Sequence, residues 1–349
     1  MPDVEISRTR VPLASLTTLR LGGPAAEVVE AATTDEIVEA VRAADASGTP
    51  LLLVGGGSNL VVADEGWPGV ALLLRSRGVV ATSDGDGITV EVAAGAPWDE
   101  LISRCVAEGW AGVECLAGIP GLTGATPVQN VGAYGQAVAE TITAVTVLDR
   151  STGLLRELSA VDCEFAYRSS IFKHSERYVV LSVRFSLQQA SLSWPIRYAE
   201  LARRLGVEID ARVPLAEARQ AVLDLRRGKG MVLDEADHDT WSAGSFFTNP
   251  IVDQTRFEST LDDGVRYPHW PVDGGIKLSA AWLIERAGFT RGYGVGTVSL
   301  SSKHTLALTN RGGATTAELL ALARTVRDGV RERFGVSLQP EPRLVGVTL

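Results

Sequence analysis

Apolar and polar positions alternate between helical and strand periods along the first 110 residues of the chain. Thr33 and Glu36 have the spacing of a capping box, and the apolar positions after them recur with the period of a helix that ends at Gly48. Leu51–Val54 is an unbroken apolar run and Ile88–Val92 alternates, so both segments predict strands. This part of the chain is therefore predicted to mix helices with strands.

A second helix is predicted where Pro97 is followed by apolar residues at helical spacing, with Gly109 at its end. The stretch Gly118–Gly135, GIPGLTGATPVQNVGAYG, has neither period and predicts an ordered loop. Three further strands are predicted, namely Val145–Leu148 and Leu154–Leu158, which flank the turn Ser151-Thr152-Gly153, and Tyr178–Leu187.

After about residue 190 the helical period predominates, which predicts a domain boundary near that position. The predicted amphipathic helices are Tyr198–Leu205, Leu215–Arg227, Ser279–Ala287 and Thr316–Phe334. The predicted strands in this half are Val295–Leu300 and Leu306–Thr309.

Composition limits the class of protein. The 349 residues correspond to two or three domains at about 150 residues each. The net charge of −9 argues against partners such as nucleic acid or an anionic membrane surface, which require cationic surface. The uncharged run Cys115–Ala139 is long enough to span a bilayer, but its two prolines and five glycines would leave backbone groups unsatisfied in lipid, so membrane insertion is not expected.

The cysteines and the first residues favour a cytoplasmic location. Cys105, Cys115 and Cys163 form no CxxC motif and cannot all pair within the chain, which is typical of a reducing compartment. The first ten residues contain no apolar run of the kind found in a secretory signal.

Several catalytic signatures are missing from the sequence. No Rossmann fingerprint, no P-loop and no nucleophile elbow occur. The four histidines, His174, His238, His269 and His304, lack the spacing of metal ligands, so no metal site is expected.

Two glycine-rich segments remain. Nine of the 36 glycines lie within residues 55–57 and 112–135, so the glycines are concentrated where backbone could approach a ligand. GGGSN at 55–59 follows a strand and could cradle a pyrophosphate through backbone N–H groups, although an ordinary strand-to-strand turn explains it equally well. The second segment, with Gln129 and Asn130, favours a dinucleotide held without a Rossmann fold over tight loop packing.

These segments resemble the FAD-binding fold of the PCMH type, which vanillyl-alcohol-oxidase-type flavoproteins share. Further motifs narrow the resemblance to the UDP-N-acetylenolpyruvoylglucosamine reductase family, in its type I form with a mobile tyrosine loop. They are FAYRSSIFK at 165–173, AGSFFTNP at 243–250, KLSAAWLIE at 277–285 and QPEPR at 339–343. The resemblance implies an α+β fold, with a two-part FAD-binding module and a C-terminal α+β domain that binds substrate. The implied ranges are 1–75 and 76–190 for the two FAD-binding subdomains, 191–335 for the substrate domain, and 336–349 for a segment that returns to the active site.

The resemblance also implies the reaction. NADPH would reduce a noncovalently bound FAD, and a hydride would then pass from flavin N5 to C3 of the enolpyruvyl group of UDP-N-acetylglucosamine enolpyruvate. Protonation at C2 would yield UDP-N-acetylmuramate for peptidoglycan synthesis. Such chemistry needs a cation beside the substrate carboxylate and a proton donor at C2. Arg168 matches the family's carboxylate-binding arginine, Ser245 the proton donor, and Glu341 the acid that assists them.

The remaining site residues are implied in the same way. The implied FAD contacts are Gly55, Gly56, Gly57, Ser58, Asn59, Leu60, Ile119, Gly121, Gly124, Ala125, Gln129, Asn130, Gly132, Ala133, Tyr134 and Gly135. The implied substrate contacts are Tyr167, Tyr198, Lys229, Asn249 and Lys277. A monomer is expected.

The chain departs from the family pattern at three places. GMVLD follows Lys229 where many relatives have a proline-containing run, and Thr248 replaces a common lysine. Gly124-Ala125-Thr126 varies the usual small-residue pattern beside the flavin.

Two other functions are compatible with part of the sequence. One is an oxidase of the same flavin fold, against which the Ser245 and Glu341 motifs argue. The other is a catalytically silent nucleotide- or partner-binding protein, against which the competent residue types at all three catalytic positions argue.

Overall fold

The computed structural model describes residues 11–85, 87–260 and 267–349 of the chain. The α-helices among these residues are α1 Thr34–Ser47, α2 Trp98–Glu108, α3 Ala199–Leu205, α4 Leu215–Gly228, α5 Gln254–Thr260, α6 Ala280–Arg286 and α7 Thr316–Phe334. The strands are β1 Ala25–Ala31, β2 Leu51–Val54, β3 Leu60–Val62, β4 Trp67–Leu74, β5 Val79–Asp84, β6 Gly87–Ala93, β7 Trp110–Ala111, β8 Gly132–Ala133, β9 Gln136–Ala137, β10 Ile142–Asp149, β11 Leu154–Ser159, β12 Tyr178–Gln189, β13 Ile251–Val252, β14 His269–Val272, β15 Gly275–Leu278, β16 Val298–Leu300, β17 Leu308–Asn310 and β18 Arg343–Val345.

The described residues divide into two compact units. The first unit includes residues 25–56 and 68–228, and the second includes residues 11–24, 57–67 and 229–349. The first unit therefore extends through α4, well beyond the change of pattern near residue 190. The four ranges implied for the subdomains, substrate domain and terminal segment are functional assignments, and they stay predictions.

Local signals explain the first two helices. The hydroxyl of Thr33 accepts the Glu36 N–H, the Glu36 carboxylate accepts the Ala32 N–H, and Gly48 ends α1 with a left-handed φ of 65°. Helix α2 starts directly after Pro97. Both predicted helices are confirmed, because capping is decided by residues within one turn of each end.

The larger sheet of the first unit is antiparallel, in the order β11-β10-β12-β6-β5, with β7 paired to β12. The predicted hairpin is confirmed as β10 and β11, in which Asp149 lies opposite Leu154. The predicted strands Ile88–Val92 and Tyr178–Leu187 are confirmed within β6 and β12.

A smaller sheet in the same unit has the order β1-β4-β2, with β2 and β4 parallel. Its apolar side chains join those of α1 and of β12 in one core, where Ile37, Leu72 and Val179 are fully buried. Leu122 of the predicted loop also belongs to this core. The loop is thus anchored by apolar burial in its middle, which leaves its glycine-rich parts to be placed by backbone contacts.

The second unit packs α6 and α7 around apolar residues that include Phe246 and Phe247. Helix α7 begins at a capping box formed by Thr315 and Glu318, and the Asp64 carboxylate also accepts the N–H groups of the first two residues of α7. Helix α7 spans the predicted residues, and α4 and α6 lie within one residue of the predicted ends.

Short strands complete the second unit, with β3 parallel to β18, β16 antiparallel to β17, and β13-β15-β14 in a three-stranded sheet. The strand predicted at Val295–Leu300 starts only at Val298. Gly294 and Gly296 have φ of 126° and 74°, which is incompatible with an extended strand.

Candidate active site

The glycines of the two predicted cofactor segments are in part packing positions. In the first unit, a Cβ on Gly56 would lie 2.7 Å from the Gly121 Cα, and a Cβ on Gly124 would lie 2.5 Å from the Ala94 Cβ. A backbone hydrogen bond also holds the second glycine-rich segment in place, since the Gly124 N–H donates to the Ala94 carbonyl at 2.9 Å. The two segments can approach this closely only because these side chains are missing.

Where the segments meet, several backbone donors remain available to a ligand. Among the described residues, none accepts a hydrogen bond from the N–H groups of Gly55, Gly56, Ile119 or Gly121. The Arg75 guanidinium contacts the Gly55 carbonyl at 3.5 Å. Backbone N–H groups without a protein acceptor can bind an anion, so the residues present are compatible with the pyrophosphate of a dinucleotide.

The second glycine-rich segment, Gly118–Gly135, is hydrogen-bonded to the segment that carries Arg168. The Asn130 amide donates to the Ala166 carbonyl at 3.1 Å, and an Arg168 guanidinium N–H donates to the Gly132 carbonyl at 2.8 Å. Asn130 also accepts the Ala139 N–H at 3.1 Å. The structure therefore gives Asn130 and Gly132 a role in holding Arg168.

Arg168 has a backbone conformation that is uncommon for an arginine. Its φ of 52° lies in the left-handed region, and Lys173 donates to its carbonyl at 2.8 Å. Its guanidinium lies 5.6 Å from the ring centroid of the exposed Tyr167. Such a conformation persists where surrounding bonds maintain it, and it is more frequent at functional sites.

Two of the three predicted tyrosine contacts meet within the first unit. Tyr134 and Tyr198 pack edge to face, with ring centroids 5.5 Å apart. Burial raises the pKa of Tyr134 to about 12, although the nearby Arg226 guanidinium lowers it. Burial, and then the Glu200 carboxylate, raise the pKa of Tyr198. Both phenols stay protonated near neutral pH and can donate hydrogen bonds.

The second unit brings Ser245 and Glu341 onto adjacent segments. The Glu341 N–H donates to the Phe246 carbonyl at 2.8 Å, and the Thr248 N–H donates to the Gln339 carbonyl at 3.1 Å. Ser245 and Glu341 are both half-buried. No described residue hydrogen-bonds to the Ser245 hydroxyl, which leaves it available to a ligand.

The second half of the GGGSNL turn is built into the same unit. Gly57 has a φ of 61°, and a Cβ there would lie 1.8 Å from the Leu16 carbonyl oxygen. The Asn59 amide donates to the Glu341 carbonyl at 3.4 Å, and the Asn59 carbonyl accepts the Arg343 N–H at 2.9 Å. The turn therefore supports Glu341, a connection between distant parts of the chain that the sequence does not reveal.

Three predicted nucleotide contacts also lie in the second unit. Lys229 directly follows α4, and Lys277 lies on β15 with its ammonium 5.8 Å from the Trp270 ring centroid. The Asn249 carboxamide oxygen accepts the Ala280 N–H at the start of α6 at 3.0 Å. The predicted FAD contacts Ser58, Gln129 and Ala133 are half-buried, whereas Ala125 is exposed. The ligand contacts of all these residues stay predictions.

The sequence reasoning missed Glu114, which is fully buried beside the second loop. Its carboxylate accepts hydrogen bonds from Gly112, Gln136 and Trp194. The sequence marks Glu114 only by its position, since it is the charged residue immediately before the uncharged run Cys115–Ala139.

Two further features concern metals and membranes. Across residues 11–85, 87–260 and 267–349, no three His, Cys, Asp or Glu side chains cluster as metal ligands would. None of the helices described there is both long and apolar enough to cross a membrane.

Two family profiles and several relatives match the chain. Residues 25–159 match the profile of a family described as an FAD binding domain, and residues 235–345 match that of the UDP-N-acetylenolpyruvoylglucosamine reductase C-terminal domain. The chain is 58% identical over 348 residues to UDP-N-acetylenolpyruvoylglucosamine reductase of Thermobifida fusca, covering 97% of this chain and 98% of the relative. It is 59% identical over 348 residues to the protein of that name from Streptomyces coelicolor, covering 97% and 90%.

A solved structure is similar along nearly the whole chain. The crystal structure of UDP-N-acetylenolpyruvylglucosamine reductase from Thermus caldophilus is 25% identical and superposes with a TM-score of 0.66, covering 97% of this chain and 99% of that one. Together with the two profiles, it confirms the predicted α+β fold with an FAD-binding module and a C-terminal domain.

Proposed function

Because the chain belongs to the UDP-N-acetylenolpyruvoylglucosamine reductase family of oxidoreductases, we propose that it reduces UDP-N-acetylglucosamine enolpyruvate to UDP-N-acetylmuramate. NADPH is the proposed reductant, and the product serves peptidoglycan synthesis. The name of the relatives, UDP-N-acetylenolpyruvoylglucosamine reductase, supports the substrate. The choice of NADPH over NADH rests on the family resemblance.

The first unit supplies residues that would hold FAD without a covalent bond. The N–H groups of Gly55, Gly56, Ile119 and Gly121 would face its pyrophosphate. When bound, FAD would accept a hydride from NADPH and supply one to C3 of the enolpyruvyl group. No histidine or cysteine lies within residues 55–60 or 118–135, which supports noncovalent binding.

Arg168 is the proposed carboxylate-binding residue. A guanidinium group can pair bidentately with a carboxylate, which suits Arg168 to the substrate carboxylate. Addition of hydride at C3 places negative charge on the enolate that this carboxylate forms, and a fixed cation stabilises that charge. The bonds from Arg168 to Gly132 and from Lys173 to Arg168 support a role that needs a preorganised cation.

Ser245 is the proposed donor of the proton at C2, and Glu341 the residue that assists it. A serine hydroxyl is a weak acid, so donation requires a short approach to the carbon and a partner that stabilises the serine oxygen after transfer. The substrate nucleotide would be bound by Tyr167, Tyr198, Lys229, Asn249 and Lys277. Lysine ammonium groups suit the diphosphate, and phenols suit its oxygen acceptors.

One observation carries the mechanistic part of this proposal. The segment that contains Ser245 is hydrogen-bonded to the segment that contains Glu341, through the 2.8 Å bond from the Glu341 N–H to the Phe246 carbonyl. Almost one hundred residues separate the two segments in the chain. A proton donor and its assisting acid need such a fixed arrangement.

The deciding experiment follows the two half-reactions of the Ser245→Ala variant by anaerobic stopped-flow absorbance. Flavin reduction by NADPH should remain nearly as fast as in the unmodified enzyme, because no proton transfer to C2 is involved. Flavin reoxidation by the enolpyruvyl nucleotide should slow by about two to four orders of magnitude, the usual contribution of a general acid.

The control is Ser191→Ala, which changes an exposed serine. Unchanged reoxidation in the Ser245→Ala variant would exclude Ser245 as the proton donor. A colourless protein would instead favour a nucleotide-binding module, and rapid oxygen consumption without the nucleotide would favour an oxidase.

A further inference from the structure

The Glu114 carboxylate joins three segments of the first unit. One oxygen, Oε1, accepts the Trp194 N–H at 2.6 Å and the Gln136 side-chain amide at 3.0 Å. The other, Oε2, accepts the Gly112 N–H at 2.7 Å. The Gln136 carboxamide oxygen in turn accepts the Cys115 N–H at 2.8 Å. Glu114 and Gln136 are both buried, so these bonds are protected from water.

The charge of Glu114 is balanced by hydrogen bonds. No described cation lies within ion-pair distance of the Glu114 carboxylate. Burial raises the pKa of the Cys105 and Cys115 thiols, and the negative charge of Glu114 raises the pKa of both thiols further. A buried carboxylate costs desolvation energy, which only well-placed donors can offset. The three donors must therefore keep their places, and so must the segments that carry them.

The bond to Gln136 holds the β8–β9 hairpin. Gln136 is opposite Ala133, and the hairpin carries Gly132, whose carbonyl binds Arg168. Tyr134 forms the tip of the hairpin together with Gly135. Movement of this hairpin would displace both the second glycine loop and the anchor of Arg168.

The bond to Trp194 holds the segment that leads into Tyr198. Two residues after Trp194, the N–H of the fully buried Ile196 donates to the Ala211 carbonyl at 2.9 Å, so a second backbone bond fixes this segment just before Tyr198. Arg197 forms an ion pair with Glu140 at 2.9 Å, and a Cβ on Gly135 would lie 3.0 Å from the Arg197 Cβ. The tyrosine segment thus packs on the hairpin, with Glu114 beneath both.

We propose that Glu114 is a positioning residue that fixes the β8–β9 hairpin and the segment leading to Tyr198 in their places relative to each other. In this role it acts through its bonds to Gln136 and Trp194. This role rests on the proposed function, since it assigns the hairpin to FAD and Tyr198 to the nucleotide.

The two connections can be broken separately. The Gln136→Met variant fills a similar volume but removes the amide, so the hairpin loses its bonds to Glu114 and Cys115 while the Trp194 bond remains. In the double variant Glu114→Gln, Gln136→Glu, carboxylate and amide exchange places. The bonds between positions 114 and 136 and to the Cys115 N–H are kept, but an NH2 group then faces the Trp194 N–H. The exposed Glu108→Gln substitution is the matched control.

Two binding constants of the holoenzyme separate the effects. FAD release on dilution is followed by flavin fluorescence, and UDP binding by isothermal titration calorimetry. Gln136→Met should raise the dissociation constant of FAD about tenfold, because a buried hydrogen-bonded pair is lost. The double variant should raise the dissociation constant of UDP about tenfold, because the bond to the Trp194 N–H is lost. Its dissociation constant for FAD should stay within about threefold of the unmodified value.

A positioning role would be contradicted if the two variants raised the dissociation constants of FAD and of UDP equally. It would also be contradicted if neither variant changed either dissociation constant while far-ultraviolet circular dichroism showed intact folding. The unmodified enzyme tests the proposed function separately. If the purified protein contains no FAD that denaturation releases, and binds no UDP, the proposed function fails. A wrong assignment of Glu114 leaves both properties of the unmodified enzyme in place.

Discussion

Single residues of the glycine-rich segments have different physical roles, although the sequence letters are the same. Gly56 permits the contact with the Gly121 backbone, and Gly57 permits a left-handed turn against Leu16. At Gly55 the nearest atom to an added Cβ is a Leu122 side-chain carbon at 3.6 Å, an ordinary contact distance. A run of three glycines therefore contains one position that should tolerate alanine beside two that should not.

This difference gives a matched pair of variants. Gly56→Ala should lower both the FAD content of the purified protein and its melting temperature, because its Cβ would overlap backbone that cannot move aside. Gly55→Ala should keep FAD, with a stability change of at most about 1 kcal/mol. The absorbance ratio of flavin to protein and differential scanning calorimetry provide the measurements. Equal loss of FAD in both variants would show that Gly55 itself must lie against the cofactor.

At the scale of single elements, local rules account for most helix ends and for the central strands. Sequence periodicity and capping located α1, α2, α4, α6 and α7 because those signals lie within a few residues of each other. The strands that were missed have weak local signals. β1 is rich in alanine and glutamate, β4 begins with Trp-Pro-Gly, and β18 is three residues long beside two prolines.

The hairpin of β10 and β11 carries a pH-dependent connection. The fully buried Asp149 carboxylate accepts two hydrogen bonds from Arg177 and further bonds from Ser151 and Arg156. The hydrogen bonds from Arg177, followed by those from Ser151, hold the pKa of Asp149 well below its ordinary value of 3.8. A carboxyl group whose folded-state pKa is lowered stabilises the fold above its ordinary pKa, and that contribution is lost as the pH falls through the lowered value.

Asp149→Asn should therefore destabilise the protein most near neutral pH. The difference in free energy of unfolding from the unmodified protein should shrink as the pH is lowered from about 5 to about 2. Urea titrations at several pH values measure this difference in free energy of unfolding. The control is the Asp273→Asn variant, which changes an exposed aspartate. A difference that stays constant over this range would mean that Asp149 contributes through packing rather than through its charge.

At the scale of the whole molecule, the two compact units are interleaved along the chain. The chain passes from the first unit to the second between Gly56 and Gly57, and returns at Pro68. Of the proposed catalytic residues, Arg168 belongs to the first unit, and Ser245 and Glu341 belong to the second.

Removal of FAD should lower the stability of the protein. A ligand that binds only the folded state contributes about 2.7 kcal/mol when its free concentration is about one hundred times its dissociation constant. The melting temperature of apoprotein should rise with the logarithm of added FAD, and scanning calorimetry with increasing FAD tests this. Riboflavin, which lacks the pyrophosphate, should stabilise less, and equal stabilisation by both would argue against the pyrophosphate site at Gly55 and Gly121.

The sequence by itself determined the helices with clear caps, the central antiparallel strands and, through its motifs, the family. These features depend on residue order over short distances and on side-chain chemistry. The sequence did not predict β8, which lies inside the stretch Gly118–Gly135 that was predicted to be loop throughout. Only the tertiary structure decided that β3 pairs with β18, that Asn59 supports the Glu341 backbone, and that Glu114 binds both Gln136 and Trp194. Such contacts join residues far apart in the chain, and they form only because burial of the surrounding apolar side chains brings those segments together.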